Sequence, residues 1–385
     1  MSNTLTGLIP VIYDAFDIVA REFTGFINHA YRNTSVEQAA VGQSVSYPIT
    51  PAATVGDITP GQTPPDDGDQ TIGVGTMTIS KAKYSPVRWT GEEQRSVKGI
   101  YASTQVQQFA QSMRALVNLI EVDCAAAAIT GASRAVGTAG TTPFGTAGDF
   151  TDFSNSLQVL DDNGAPASDR HIVVSSPSLS NLRGKQTVLL KANEAGTDAL
   201  LRQGVMGDVL GLQIGMSAGL TQHVKGTGAN YVTSGSTAPG VSSIALVTGT
   251  GTVLAGDIVT FAADTTNKYV VNTGVAAAGT IALGTPGARV TIATANAMTI
   301  GNSFTPNIAF HRMALHLVTR APAMPVDQNG KAIDAADDVI DVTDPVTGLS
   351  FQVAMYRLYR RIKYEVAIAW GTKAVKSDFI AILQG

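Results

Sequence analysis

Residues 104–130 read TQVQQFAQSMRALVNLIEVDCAAAAIT, and the spacing of their apolar members decides the fold. Val106, Phe109, Ala110, Met113, Leu116, Val117, Ile120, Cys124, Ala127 and Ala128 recur at intervals of three and four. They therefore line one face of a helix. Thr104 followed by Gln107 resembles a capping box at its start. Such a helix is roughly 40 Å long at 1.5 Å per residue. Cys124 lies among alanines on the apolar stripe and reads as a small buried hydrophobe rather than a nucleophile.

Upstream, residues 41–90 carry a different pattern. Val45, Tyr47 and Ile49 alternate with polar residues, as do Ile72 and Val74, with Met77 and Ile79 one step out of phase. These read as two strands. Between them lies a stretch with Pro51, Pro60, Pro64 and Pro65 and the acids Asp57, Asp66, Asp67 and Asp69, and no lysine or arginine occurs from Tyr47 to Ser80. A tip without core residues is expected to protrude as a long two-stranded loop. The run 66–69 lacks the spaced ligands of a calcium loop. Further upstream, Leu5, Leu8, Ile9, Ile12, Phe16, Val19, Phe23, Phe26, Ile27, Ala30 and Tyr31 predict an amphipathic helix beginning near Pro10. It packs either on its own domain or, as an arm, on a neighbouring subunit.

Downstream, Gly131–Gly148 reads as a loop, Thr151–Leu160 as a helix, His171–Ser175 as a strand, Pro177–Lys185 as a short helix, and Gly204–Gly219 as a turn feeding a strand. Residues 222–304 hold five charged residues, Lys225, Asp257, Asp264, Lys268 and Arg289. Short runs at Ser243–Val247, Asp257–Phe261, Lys268–Val271, Thr280–Leu283 and Arg289–Ala293 are separated by glycine turns, the pattern of an inserted β-barrel or sandwich. Residues 308–318 and 348 onward are strand-rich.

Composition excludes several classes. Charged residues are 15% of the 385, against a usual ~25%. Such a chain suits burial of surface against other chains. A net charge of -4 argues against binding nucleic acid by phosphate neutralisation. No apolar run reaches a membrane span, and the first residues lack the basic region of a signal peptide. One cysteine excludes a disulfide framework and points to the cytosol.

Candidate chemistry is sparse. Gly215-Met216-Ser217-Ala218-Gly219 matches a nucleophile elbow, which would make Ser217 the nucleophile of a hydrolase with His311 or His316 as base. The loop that follows is glycine-rich rather than helical, and the histidines read as strand residues with satisfied hydrogen bonds. The five histidines have no zinc-ligand spacing. Gly249-Thr250-Gly251 lacks the rest of a dinucleotide turn. Residues 356–364 (YRLYRRIKY) form one basic-aromatic cluster, read as a strand with a solvated or inter-subunit face. No catalytic, metal or cofactor site is expected.

The order of these elements resembles the major capsid proteins of tailed bacteriophages, the Hong Kong 97-type fold. Residues 206–214 (MGDVLGLQI) with Ser217, and 307–314 (NIAFHRMA), are similar to that family's axial-domain strands. Tyr364–Gly371 is similar to its last peripheral strands, and the β-rich stretch falls where short-tailed enterobacterial phage coat proteins carry an inserted β-barrel. The resemblance implies an α+β chain divided into an N-terminal helical arm (1–40), an extended hairpin (41–92), a peripheral domain with the spine helix (93–148), an axial domain in two parts (149–221 and 305–345), the insert (222–304) and peripheral strands (346–385). It implies a homo-oligomer of pentamers and hexamers enclosing double-stranded DNA without sequence-specific binding, assembled in the host cytoplasm and found in the virion. A portal protein would be a partner, and a separate scaffolding protein is expected because the arm begins almost at Met1. The family's lysine cross-link has no counterpart here, since the hairpin has no lysine before Lys81. Expected subunit contacts are Phe16, Phe23 and Phe26 of the arm, and Asp57, Asp66, Asp67 and Asp69 facing Arg95, Lys98 and Arg114 of a neighbour. The alternatives are a nanocompartment shell of the same fold, a surface adhesin, and the Ser217 hydrolase.

Overall fold

The computed structural model describes residues 24–50, 55, 57, 58, 60, 71–97, 101–185, 208–326, 328, 333, 334, 336–343 and 347–385. The spine helix runs Tyr101–Thr130. Its stripe is buried as the spacing demands, with Phe109, Met113, Ile120, Cys124 and Ala128 fully covered. The helix begins three residues before Thr104, so Thr104 and Gln107 are not its cap. The capping box lies one helix earlier. Glu93 N–H donates to Thr90 Oγ1 (3.2 Å), and Thr90 N–H donates to Glu93 Oε2 (2.8 Å), opening the helix Gly91–Val97.

Before the spine come β1 (Tyr31–Ala39), β2 (Ser44–Ile49), β3 (Gly73–Thr78) and β4 (Lys81–Thr90). After it come β5 (Arg134–Gly137), a helix at Thr151–Asp162, β6 (Arg170–Val174), a helix at Ser176–Lys185, β7 (Asp208–Val209) and β8 (Leu212–Met216). The β-rich stretch holds β9 (Val232–Thr233), β10 (Ser243–Val247), β11 (Ile258–Phe261), β12 (Asp264–Thr273), β13 (Gly279–Leu283) and β14 (Met298–Ile300). The chain then forms β15 (Pro306–His311), β16 (Leu315–Pro322), β17 (Asp338–Thr343), β18 (Ser350–Leu358), β19 (Arg361–Ala374) and β20 (Ile380–Gln384).

Among the described residues these strands make three sheets. The first has the order β1-β16-β19-β18-β17, with β4 also on β19. It lies on the spine helix: Tyr364 meets Phe109 edge-on at 5.5 Å, and Trp370 donates its indole N–H to Asp123 (2.7 Å). The second runs β7-β8-β6-β15-β20-β5-β12-β13-β10-β9, with β11 joining β12 to β14. Its central strands β6, β15 and β20 are buried throughout, which explains their lack of polar alternation. The third is the ribbon β2–β3.

Four expectations change. Arg134–Gly137, read as loop, is β5, because two open edges flank it: β20 pairs with it in parallel and β12 antiparallel. The β-rich stretch is therefore hydrogen-bonded into the second sheet, although it keeps a core of its own around Tyr231, Ile244, Phe261, Tyr269 and Ile281. Arg289–Ala293 is not a strand; Ile292 makes an isolated bridge with Thr237. At the N-terminal end, the helix predicted over Leu5–Tyr31 survives in the described residues as Phe26–His29. Ala30 is extended (ψ 160°) and ends it, and Tyr31–Ala39 pairs in parallel with β16. Phe16 and Phe23 lie outside the described residues.

Candidate functional site

Ser217 follows β8 but is not presented as an elbow nucleophile. It is 1% exposed, and its Oγ accepts from Gly219 N–H (3.1 Å) and bonds the Glu121 carboxyl. Glu121 projects from the spine helix into the same buried place. Phe26 N–H donates to its Oε1 (2.7 Å) and Ile27 N–H to its Oε2 (3.1 Å). Burial pushes this carboxyl above its ordinary range, against the pull of these donors. The group is an anchor: a carboxylate at the first turn of the helix Phe26–His29 satisfies N–H groups with no partner inside it. His311 accepts from Met313 N–H (3.2 Å), and His316 contacts Met313 O (3.1 Å).

The same junction contains two stacked histidines. His29 and His171 have ring centroids 4.8 Å apart. His29 Nδ1 lies 2.6 Å from Gly25 O, and neither ring nitrogen of His171 has a hydrogen-bond partner. Burial lowers His29 below its ordinary value and, with the neighbouring His29 adding to it, pushes His171 down to about 4. Arg312 and His311 oppose protonation of His171, and Asp169 favours it. The unfolded chain therefore takes up protons first. Stability held above pH ~6.5 is lost as the pH falls toward 4, by roughly 2–3 kcal/mol for His171. Glu121, raised by burial, works in the opposite sense, its stability being lost as the pH rises through its raised folded value. The His171→Phe variant isolates the histidine: its stability between pH 7 and 4.5, followed by denaturant unfolding, is expected to fall less than that of wild type. Equal slopes would refute this.

The surface expected to meet other subunits is partly in view. Phe26, expected at a contact, belongs instead to the chain's own core: it is 0% exposed and stacks on Phe310 at 5.9 Å. The reason is local, since the Glu121 anchor turns the chain inward there. Asp57, Arg95 and Arg114 are exposed; Asp66, Asp67, Asp69 and Lys98 lie outside the described residues. The ribbon is anchored at its base, where Met77 and Ile79 are buried. Lys81 Nζ meets Asp123 at 2.7 Å, and Lys373 Nζ donates to Thr76 O (2.8 Å). Gly75 leaves room for the Tyr47 ring, which a Cβ there would displace. Sequence reasoning missed Glu121 and Asp123, whose carboxylates stand on the edge of the helix's apolar stripe. It did flag residues 356–364, which span the end of β18, the connecting Tyr359 and Arg360 and the start of β19, and put Arg357, Arg360 and Arg361 at the surface.

No family model matches the sequence, and no curated protein matches it. Solved structures do. The capsid structure of the cyanophage P-SCSP1u superposes over 94% of this chain and 88% of its own, at 13% identity and a TM-score of 0.50. The chain has the Hong Kong 97-type capsid fold. A chain from Mycobacterium phage Che8 is similar at 15% identity, over 89% of this chain and 84% of its own, with a TM-score of 0.47. The virus-like particle from Pyrococcus furiosus is similar at 10% identity, over 97% and 98%, with a TM-score of 0.46. In this fold the spine helix lies against the sheet on β19, and β6, β15 and β20 lie together in the larger sheet. The β-rich stretch joins the larger sheet through the pairing of β12 with β5.

Proposed function

We propose that the chain is the major capsid protein of a tailed phage, assembling as pentamers and hexamers into an icosahedral shell around packaged double-stranded DNA. The observation that carries this reading is the match of fold over nearly the whole length of a cyanophage capsid chain. Physical features support it. Low charge density suits broad subunit contacts, whose cores are depleted in charge. A net charge of -4 suits an inner wall that does not hold the DNA fast. The ribbon β2–β3 projects with Ile49 and Val74 exposed, which an isolated hairpin does not sustain without a surface to rest on. A scaffolding protein and a portal are the partners this role requires, with assembly in the host cytoplasm and residence in the virion. The β-rich stretch is the counterpart of the inserted domain of short-tailed enterobacterial coat proteins.

Negative-stain microscopy of the purified chain, with and without its phage's scaffolding protein, tests the proposal. Closed shells that protect DNA from nuclease after packaging are expected. A species that stays monomeric under both conditions refutes it, and shells that enclose an enzyme instead of DNA favour the nanocompartment reading.

A further inference from the structure

A cavity of about 600 Å³ lies between the ribbon and the connection from β15 to β16. Small-molecule sites span roughly 300–1,000 Å³. The ribbon contributes Tyr47 and Met77, and the connection contributes His311, Met313 and His316. Tyr31, which opens β1, and Phe379, just ahead of β20, also line it. Ring contacts hold these elements together. The His316 centroid is 4.7 Å from that of Tyr31 and 5.7 Å from that of Tyr47, and His311 is 6.2 Å from Phe379.

Two polar groups are set in place by the backbone of Met313. Its N–H donates to His311 Nδ1 (3.2 Å), and its carbonyl oxygen lies 3.1 Å from His316 Nε2. Burial lowers both histidines below their ordinary value, so both rings are neutral at pH 7. The tautomers follow from these bonds. His311 carries its proton on Nε2, and His316 keeps Nδ1 as an acceptor. Neither of these two nitrogens has a hydrogen-bond partner among the described residues. Charge at the cavity has one sign. Exposed Lys376 lines it, 5.2 Å from the Phe379 centroid, and no described carboxylate does. Asp169 favours protonation of His311, but Arg170, Arg312 and Lys376 oppose it.

Aromatic walls, one fixed donor, one fixed acceptor and a lysine together describe a nitrogen heterocycle that carries an anionic group. Purines present a ring-nitrogen acceptor beside an exocyclic amino donor, as adenine does with N7 and N6. We propose that the cavity binds a purine nucleoside monophosphate, with the base among Tyr31, Tyr47 and His316, its edge on His311 Nε2–H and His316 Nδ1, and the phosphate on Lys376. The ligand touches the ribbon and the body of the subunit at once, so its binding holds the ribbon's base in place. This inference does not rest on the shell reading.

Calorimetric titration of the full chain with adenosine 5′-monophosphate, adenosine and inorganic phosphate tests the proposal. The monophosphate is expected to bind with a Kd below about 1 mM, and more tightly than either of the other two. Lys376→Ala, at an exposed position, is expected to weaken the monophosphate about tenfold while leaving adenosine binding and the unfolding temperature unchanged. Saturating monophosphate is also expected to slow hydrogen exchange at Tyr47 and Met313. No binding of the monophosphate overturns the proposal. Adenosine or phosphate binding as tightly as the monophosphate overturns it too, because one of the two recognition elements is then idle. Binding that neither responds to Lys376→Ala nor protects Tyr47 and Met313 belongs to another place on the chain and overturns it as well.

Discussion

Replacing Glu121 by alanine is expected to cost about 3 kcal/mol of subunit stability, read as a shift of the denaturant midpoint. The carboxylate is 3% exposed and accepts from Phe26 and Ile27 N–H, and each buried donor left without a partner costs about 1–3 kcal/mol. Ser217 loses its carboxyl partner as well. Glu121→Gln keeps one acceptor oxygen but turns an amide N–H₂ toward the second donor, so an intermediate loss is expected. The damage has an address: hydrogen exchange should rise at Phe26 and Ile27 and along β1, which leaves the junction at Tyr31. A loss below about 1 kcal/mol, or exchange unchanged at those amides, would show that the anchor is dispensable.

A second large effect is expected at Asp257, in the neck of the β-rich stretch. It is 0% exposed. Its carboxylate accepts from Gly226 N–H (3.1 Å to each oxygen), from Leu254 N–H (2.8 Å), and lies 2.9 Å from His223 Nε2. His223 in turn exchanges backbone bonds with Phe304, the residue where the chain leaves the stretch. Entry and exit are thus tied to one buried side chain. Asp257→Ala is expected to lower stability by about 3 kcal/mol or more, because several buried donors lose their acceptor together. The loss should appear as faster exchange within residues 222–304, ahead of β15 and β20. Uniform acceleration across the chain would mean that the neck is not a separate point of failure.

How much of this was legible in the sequence depended on length and on distance along the chain. The spine helix was plain because its stripe repeats over Val106–Ala128, and β10 was plain because Ser243–Val247 alternates between glycine turns. Arg134–Gly137 was not, since four residues are too few for a period and its strand character comes from the edges of β20 and β12 on either side. The helical spacing of Phe26, Ile27, Ala30 and Tyr31 misled, because intervals of three and four continue across the point where Ala30 turns extended. Glu121 was silent for a different reason. A carboxylate on a helix reads as a solvated group unless one knows that Gly25–Ile27 will be laid against it. The charge asymmetry between residues 47–80 and 356–364 also stands in the sequence.

The place of β20 bears on how the chain is made. Residues 380–384 lie between β15 and β5 in the middle of the larger sheet, and β1 waits for β16, about 285 residues later. Translation at about 5–20 residues per second takes roughly 20–80 s for a chain of this length. For most of that time β5 lacks its β20 neighbour, and β15, once made, has a bare edge until β20 follows. The larger sheet closes at its centre only once residues 380–384 are made. The centre of the larger sheet therefore closes in one late step, and a folding chaperone that shields strand edges would act in the interval before it.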